Sequence, residues 1–254
     1  MITRYDATLN GISLATIHPD IWVQDIRHTQ AAPKNEVYSV AKRQGSRIYR
    51  RNYDKASVQI YFEIHNYSTM IRQEICKSVM HWARKGGVLQ TSDRSGQRLI
   101  CVCDTFPSIS SALRWTEPLL VTFSAYTLPF WQEVNPSMVS MTGTSGNGNL
   151  YVPGVVEDAP VEVDVKAKAK ITTLSLTTGT KTMQFSGLNV ASGNTIKIAY
   201  DDEQILSIKV GSTSLLDKRT GADDLLVDCG EISPVSFTSN ANADVVFKAR
   251  GLWL

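Results

Sequence analysis

Residues 56–84 decide the fold class, and they read ASVQIYFEIHNYSTMIRQEICKSVMHWAR. In Ala56–Ile64, apolar side chains occupy every second position from Val58 onwards. This period of two predicts a half-buried β-strand, because successive side chains of a strand point to opposite faces. From Tyr67 to Arg84 the apolar residues recur every three or four positions, which predicts an amphipathic α-helix of about five turns. A strand followed by such a helix indicates an α+β domain.

The ends of the predicted helix agree with its periodicity. Asn66 or Ser68 can accept a hydrogen bond from the first backbone amides of the helix. At the other end, Arg84 and Lys85 complement the negative end of the helix dipole, and Gly86 can adopt the left-handed conformation that ends many helices. The apolar stripe consists of Tyr67, Ile71, Ile75, Val79 and Trp82, with Arg72, Glu74 and Lys77 between them.

The rest of the first half is predicted to be β-sheet. Asn10-Gly11 predicts a tight hairpin turn, because both residues tolerate the positive φ of a type I′ turn. A second hairpin is predicted around residues 93–96, where polar residues and a glycine separate two apolar runs. The predicted strands of this half, besides Ala56–Ile64, are Tyr5–Leu9, Ile12–Ile17, Trp22–Arg27, Val37–Lys42, Val88–Thr91, Gln97–Phe106 and Leu119–Leu128.

The second half reads as a different domain. Residues 129–154 are rich in Ser, Thr, Gly, Asn and Pro, which predicts a junction, and we place the boundary between residues 136 and 137. Short runs punctuated by turn residues follow, and they predict an antiparallel β-sandwich without helices. The predicted strands are Val161–Ala167, Ile171–Thr177, Lys181–Phe185, Thr195–Tyr200, Ile205–Val210, Leu225–Val227, Val235–Ser239 and Val245–Ala249.

Composition places the 254-residue chain among folded globular proteins, with 43% hydrophobic and 20% charged residues. No run approaches the roughly 18 apolar residues of a membrane span, and the N-terminal residues do not resemble a signal peptide. We therefore expect a protein that is made and kept in the cytosol, or released by lysis. The net charge of +2 is unevenly divided, with +5 in residues 1–136 and −3 in residues 137–254. This asymmetry suits subunits that meet basic surface to acidic surface.

No arrangement of residues predicts catalysis or a resident metal. The four histidines, which are His18, His28, His65 and His81, are scattered and form no metalloprotease motif. Cys101 and Cys103 share a strand face and could bind zinc together, but small apolar residues packed inside a strand explain them as well. Two ligands do not complete a zinc site, and Cys76 and Cys229 would have to converge on them.

The cluster Asp201-Asp202-Glu203 could supply the paired carboxylates of a glycosidase. It also separates two predicted strands, so a solvated hairpin tip explains it with fewer assumptions. We therefore predict no catalytic residues, no metal ligands and no cofactor, and we predict that the chain is not an enzyme.

One segment is unusually basic. Lys42–Lys55 contains six cations, one anion and two tyrosines, and arginine with tyrosine is the composition favoured at protein interfaces. We rank a protein interface first, a solvated arm second and nucleic-acid binding third. The candidate interface residues are Arg43, Arg47, Tyr49, Arg50, Arg51 and Tyr53.

Taken in order, these features resemble the distal tail protein family of siphophages along nearly the whole chain. No single motif is specific, so the resemblance rests on their order and spacing. It is carried by the loop with Arg43 and Gly45, the helix with Trp82 near its end, the hairpin Val88–Phe106 with Asp93 and Gly96 at its tip, Tyr126–Trp131 at the junction, Gly193–Ile198 and the closing Val245–Trp253.

The resemblance implies a structural role in a phage tail tip. Six copies would form a ring through their N-terminal α+β domains, the tail tube protein would contact one face, and the tail hub or tail-associated protein would dock on the other. The galectin-like sandwich would lie outside. The implied location is the virion, after assembly in the host cytoplasm, with no membrane and no sequence-specific nucleic acid as partner.

Two alternatives to the architectural role stay open. The sandwich domain could recognise host cell-wall saccharide, although most of its aromatic residues fall within strand patterns and are expected in the core. The third hypothesis is a glycoside hydrolase, and it depends on Asp201, Asp202 and Glu203 alone.

Overall fold

The computed structural model describes residues 5–39, 46–108, 118–201, 204–221 and 223–254, with backbone only for residues 35–39 and 46–51. The chain forms two compact units, Met1–Trp131 with Leu254, and Gln132–Trp253. In the first unit the strands are β1 (Ala7–Leu9), β2 (Ile12–Ser13), β3 (Ile21–Thr29), β4 (Pro33–Ser39), β5 (Ser46–Tyr53), β6 (Ala56–Ile64), β7 (Gly87–Thr91), β8 (Gln97–Thr105) and β9 (Leu119–Ala125), and the helices are α1 (Leu14–Ile17) and α2 (Thr69–Ala83).

One antiparallel sheet forms the body of the first unit, in the order β2–β1–β7–β8–β9–β6–β3. Strand β6 lies between β9 and β3, and every second residue from Ala56 to Ile64 is buried, as predicted. The predicted Asn10-Gly11 turn is confirmed, with φ of 51° and 80° and Leu9 opposite Ile12. The hairpin of β7 and β8 is confirmed as well, with Val88 opposite Ile100.

Helix α2 packs on this sheet through the end that carries Trp82. The Trp82 ring meets Phe123 of β9 edge to face at 5.7 Å, and its Nε1 donates to the backbone oxygen of Ile12 at 2.9 Å. Ser68 caps the helix by accepting a hydrogen bond from the Ile71 amide, which selects between the two predicted caps.

Two sequence predictions for this unit are wrong in detail, and one charged helix residue is buried. Tyr67 precedes the helix and is 92% exposed, so it is not part of the buried stripe. Arg72, predicted between the stripe residues, is only 5% exposed, and its guanidinium donates to the backbone oxygen of Asn66 and to Thr69 Oγ1. Residues 14–17 form a helical turn and not a strand, because Asp6 accepts hydrogen bonds from Ser13 Oγ and the Ala15 amide.

The second unit is composed almost entirely of strands. Its strands are β10 (Trp131–Glu133, of which Trp131 belongs to the first unit), β11 (Ser137–Tyr151), β12 (Ala159–Ala167), β13 (Leu174–Thr178), β14 (Lys181–Phe185), β15 (Thr195–Tyr200), β16 (Leu206–Val210), β17 (Thr213–Ser214), β18 (Arg219–Thr220), β19 (Leu226–Val227), β20 (Ile232–Ala249) and β21 (Leu252–Trp253), and a 3₁₀ turn lies at Leu216–Lys218. The predicted fold class, an α+β domain followed by an antiparallel β-sandwich, is confirmed.

Two long strands pass through both layers of the sandwich. Residues 137–143 of β11 pair with residues 243–249 of β20 in the layer that contains β12, β15, β16 and β17. Residues 145–151 pair with residues 232–238 in the layer of β13, β14 and β18. The polar stretch predicted as a junction is therefore a strand, and the two strands predicted within residues 235–249 are one.

Candidate protein interface

The basic segment supplies one strand, β5, of a two-stranded arm in the first unit. Strands β4 and β5 pair only with each other, antiparallel, from Pro33 opposite Tyr53 to Ser39 opposite Ser46. Neither outer edge of this arm has a strand partner among the residues that the structure describes. A hairpin of two strands is marginally stable alone in water, and its open edges offer backbone groups to another chain. The geometry of the arm is therefore suited to contact with a protein.

The pairing of the arm fixes where the predicted interface residues stand along it. Arg47 lies opposite Tyr38, Arg50 opposite Glu36, and Tyr49 falls at a register shift of the ladder. Such an irregularity usually twists a strand and interrupts the regular ladder. The remaining positions are Arg51 opposite Asn35 and Tyr53 opposite Pro33, while Arg43 lies outside the described residues.

Aromatic and backbone contacts fasten the base of the arm to the first unit. The Tyr53 ring meets Phe130 edge to face, with centroids 4.9 Å apart. The Asp54 amide donates to the backbone oxygen of Ala32 at 2.9 Å and so closes the base of the hairpin. Tyr53 is thus the one predicted interface residue whose side-chain contact is described, and that contact is within its own chain.

A charged cluster lies directly beside this base. Lys55 Nζ is 2.9 Å from Asp104 Oδ2, and it lies 5.2 Å from the centre of the Tyr126 ring. Asp104 also accepts hydrogen bonds from Ser124 Oγ at 2.6 Å and from the Tyr126 hydroxyl at 3.0 Å. The hydrogen bond from Ser124, with those from Lys55 and Tyr126, lowers the pKa of Asp104, although desolvation opposes the shift. Asp104 is therefore ionised at neutral pH and holds Lys55 at the root of the arm.

Sequence reasoning did not find this cluster. Tyr126 stands in the junction motif, but nothing in the spacing of Asp104 shows that it meets Lys55, 49 residues away. The alternating pattern of β8 was the available signal, since it places Asp104 out of step with the apolar face of that strand.

The histidines do not assemble a catalytic site. His28 Nε2 lies 2.6 Å from Asp93 Oδ2, and its ring meets Trp131 edge to face at 5.3 Å. His65 stacks on Trp22 with ring centroids 5.4 Å apart. These are packing or pairing contacts at different places in the sheet.

The thiols are also placed for packing. Burial raises the pKa of Cys101 to about 12 and that of Cys103 to about 11, so both are protonated at neutral pH, whereas zinc binds thiolates. Across the described parts of the chain, no three His, Cys, Asp or Glu side chains are grouped to hold a metal ion. None of the described helices is long and apolar enough to cross a membrane.

Asp201, the first residue of the acidic cluster, lies at the turn between β15 and β16, where the cluster was expected. Asp201 Oδ1 accepts a hydrogen bond from the Ile205 amide at 2.8 Å, and Gln204 has φ of 61°. Asp201 thus stabilises the turn through its side chain. Asp202 and Glu203 lie outside the described residues, so the glycosidase hypothesis is not tested by them.

The fold of this chain, an N-terminal antiparallel sheet with one long helix and a two-stranded arm followed by a sandwich, is similar to that of solved phage proteins. The solved Dit protein of phage SPP1, described as a paradigm of the hub adsorption apparatus of phages that infect Gram-positive bacteria, has this fold. The similarity covers 97% of this chain and 98% of that one, with a TM-score of 0.69 and 9% sequence identity.

A chain of the phage P2 baseplate, in its activated conformation with Ca, is also similar. That similarity covers 99% of this chain and 98% of the other, with a TM-score of 0.54 and 8% identity. The resemblance seen in the sequence is thus confirmed for the fold. No protein-family model matches the sequence, and no curated protein matches it.

Proposed function

We propose that this protein is a structural component of a phage tail tip that forms a ring of six copies. The first units form the ring, which joins the tail tube protein to the tail hub. The observation that carries the proposal is the similarity of both units, in order and over almost their full length, to a protein of a phage adsorption apparatus. Fold similarity at 9% identity supports the architecture, and the features of the chain itself support the assembly.

The arm supplies the means of contact between copies. Its strand β5 carries Arg47, Arg50 and Arg51, three of the six basic residues of the segment, in a hairpin with two open edges. The hairpin is fastened at its base by Tyr53, Asp54 and Lys55. Head-to-tail contacts that close by rotation form a ring. No enzymatic step is needed for this function.

The mass of the full chain in solution tests the ring. We expect native mass spectrometry to show a hexamer and negative-stain images to show annuli with six-fold symmetry. A protein that stays monomeric at every accessible concentration would contradict the proposal.

A pair of charge-reversal variants tests the role of the arm in the contact between copies. The variant Arg50→Glu/Arg51→Glu is expected to abolish the hexamer, because it replaces two positive charges on β5 with two negative ones. The matched control is Arg84→Glu/Lys85→Glu, which makes the same charge change at exposed residues after α2 and should leave the hexamer intact. Circular dichroism verifies that both variants are folded. If the arm variant still forms hexamers, the arm is not part of the interface between copies.

A further inference from the structure

The second unit has an open pocket on the outer face of one layer of the sandwich. Its volume is about 420 Å³, and it lies over β15 and β16, close to their ends at Thr195 and Val210. This size falls within the range of small-ligand sites. It is lined by Gly193, Asn194, Thr195, Lys197, Ala199, Ser207, Lys209 and Gly211.

Two lysines stand side by side in this pocket. Lys197 on β15 and Lys209 on β16 are register partners, so their side chains project from the same face at directly opposite positions. Both side chains are exposed, while their neighbours Ile196, Ile198 and Ile208 are buried in the sandwich. Like charges directly opposite each other lower the stability of a strand pair, and a bound anion would offset that repulsion.

Nearby carboxylates are already engaged by other cations. Asp164 lies opposite Lys197 on β12, but its Oδ2 is hydrogen bonded to Lys248 Nζ. Asp244 pairs with Lys168 at 2.7 Å. Among the residues that the structure describes, neither Lys197 nor Lys209 has an ion-pair partner within 4.0 Å. The pocket therefore carries a local positive charge in the half of the chain whose net charge is negative.

The rest of the lining indicates which anion fits. Thr195, Ser207 and Asn194 offer hydroxyl and amide groups, which can hydrogen bond to the hydroxyls of a sugar or polyol. The lining has no aromatic ring on which a neutral sugar or a nucleobase could stack, and no large apolar side chain that would anchor a peptide. Lysine is well suited to phosphate as a compact charge with three donors.

We propose that Lys197 and Lys209 form a binding site for a saccharide that carries phosphate groups. The ammonium groups bind the phosphate, and Thr195, Ser207 and Asn194 contact the attached sugar or polyol. The site belongs to the second unit, and its existence does not depend on formation of the ring.

Titration of the full-length protein with a phosphomannan tests the site. We expect binding that weakens as salt is raised, and no binding of the same mannan after enzymatic removal of its phosphate. The variant Lys197→Gln/Lys209→Gln should bind the phosphomannan at least roughly tenfold more weakly, because it loses two charge-assisted contacts.

A second lysine pair provides the control. Lys170→Gln/Lys181→Gln removes the same charge from exposed residues outside the pocket and should bind like the unchanged protein. Equal losses in the two variants would indicate only a general charge effect and would overturn the site. Equal binding of polyglutamate or of single-stranded DNA would overturn the assignment to saccharide. Hexamer formation measured on the same samples separates this proposal from that of the ring.

Discussion

Strands β6 and β11 belong to different units and show two ways in which a sequence can encode a strand. β6 lies between two other strands, and its alternate residues Val58, Ile60 and Phe62 are wholly buried. β11 pairs only with β20 among the described strands, and apart from Leu150 none of its side chains is fully buried. Both are strands, yet only β6 is evident in the sequence.

The difference follows from what each strand packs against. A strand inside a sheet must fill a core, so its burial appears as an apolar period of two. An edge strand is held by the ladder on one side only, and polar residues and glycine on it oppose unwanted pairing with other chains. β11 also turns from one layer of the sandwich into the other near Gly143, where the ladder shifts register. Its composition therefore resembles that of a linker.

The largest effect is expected in β6. Phe62→Ala removes a ring that is fully buried between Val23 and Leu119, and it should lower the free energy of unfolding by about 3–5 kcal/mol. Urea unfolding followed by circular dichroism measures this loss. Ser57→Ala, on the other face of the same strand, should change the stability little. A small loss for Phe62→Ala would mean that the alternation of β6 does not report its burial.

The next effect is expected in β11, at a residue without an apolar side chain. A Cβ added at Gly146 would lie 2.8 Å from Phe237 Cε1 and 3.1 Å from Met141 Cβ. Because Phe237 is fixed in the core, Gly146→Ala should cost about 1–3 kcal/mol through overpacking. Asn147→Ala, at an exposed neighbouring position, serves as the control. Equal stability of the two variants in urea would show that β11 tolerates side chains on both faces, as a linker would.

The comparison also explains how much of the fold could be predicted. The sequence was sufficient to predict β6, α2 and the first hairpin, because the spacing of apolar residues or a turn residue specifies each of them. It was insufficient for β11 and for the continuity of β20, whose two apolar runs are separated by the bend between layers. The burial of Arg72 was not predictable, because the sequence does not distinguish a buried arginine with a backbone partner from a solvated one.

The candidate interface was predictable only in part. Six cations and two tyrosines within Lys42–Lys55 marked the arm, since local composition carries that information. The anchor at its base was not predictable, because Asp104 and Tyr126 approach Lys55 only in the folded sheet. The lysine pair of the pocket was hidden for the same reason, since the register of β15 and β16 sets Lys197 opposite Lys209.

A smaller effect is expected at Asp104, beside the start of β6. Asp104→Asn should lower stability by about 1 kcal/mol at pH 7, because the Ser124 hydroxyl, which is fully buried, loses a charged acceptor. The pKa of Asp104 is lowered in the folded protein, so its contribution is present above the unfolded value of about 3.9 and is lost as pH falls through the folded pKa. The midpoints of thermal unfolding of the unchanged protein and of Asp104→Asn should therefore converge as the pH is lowered from 7 to 3. If the difference between their unfolding midpoints stayed the same over this pH range, the charge of Asp104 would not be its cause.

The smallest effect is expected at Asp244, the corresponding carboxylate opposite β11. Hydrogen bonds from Lys168 and Thr142 lower its pKa, so the sign of its pH dependence is the same as for Asp104. Its partners, however, are exposed at the sheet edge, where water and salt screen an ion pair. Asp244→Asn should shift the midpoint of thermal unfolding at pH 7 by less than Asp104→Asn does, and the shift should vanish in high salt. If Asp244→Asn proved the more damaging, the edge at β11 would be held by its polar side chains and not by the ladder with β20.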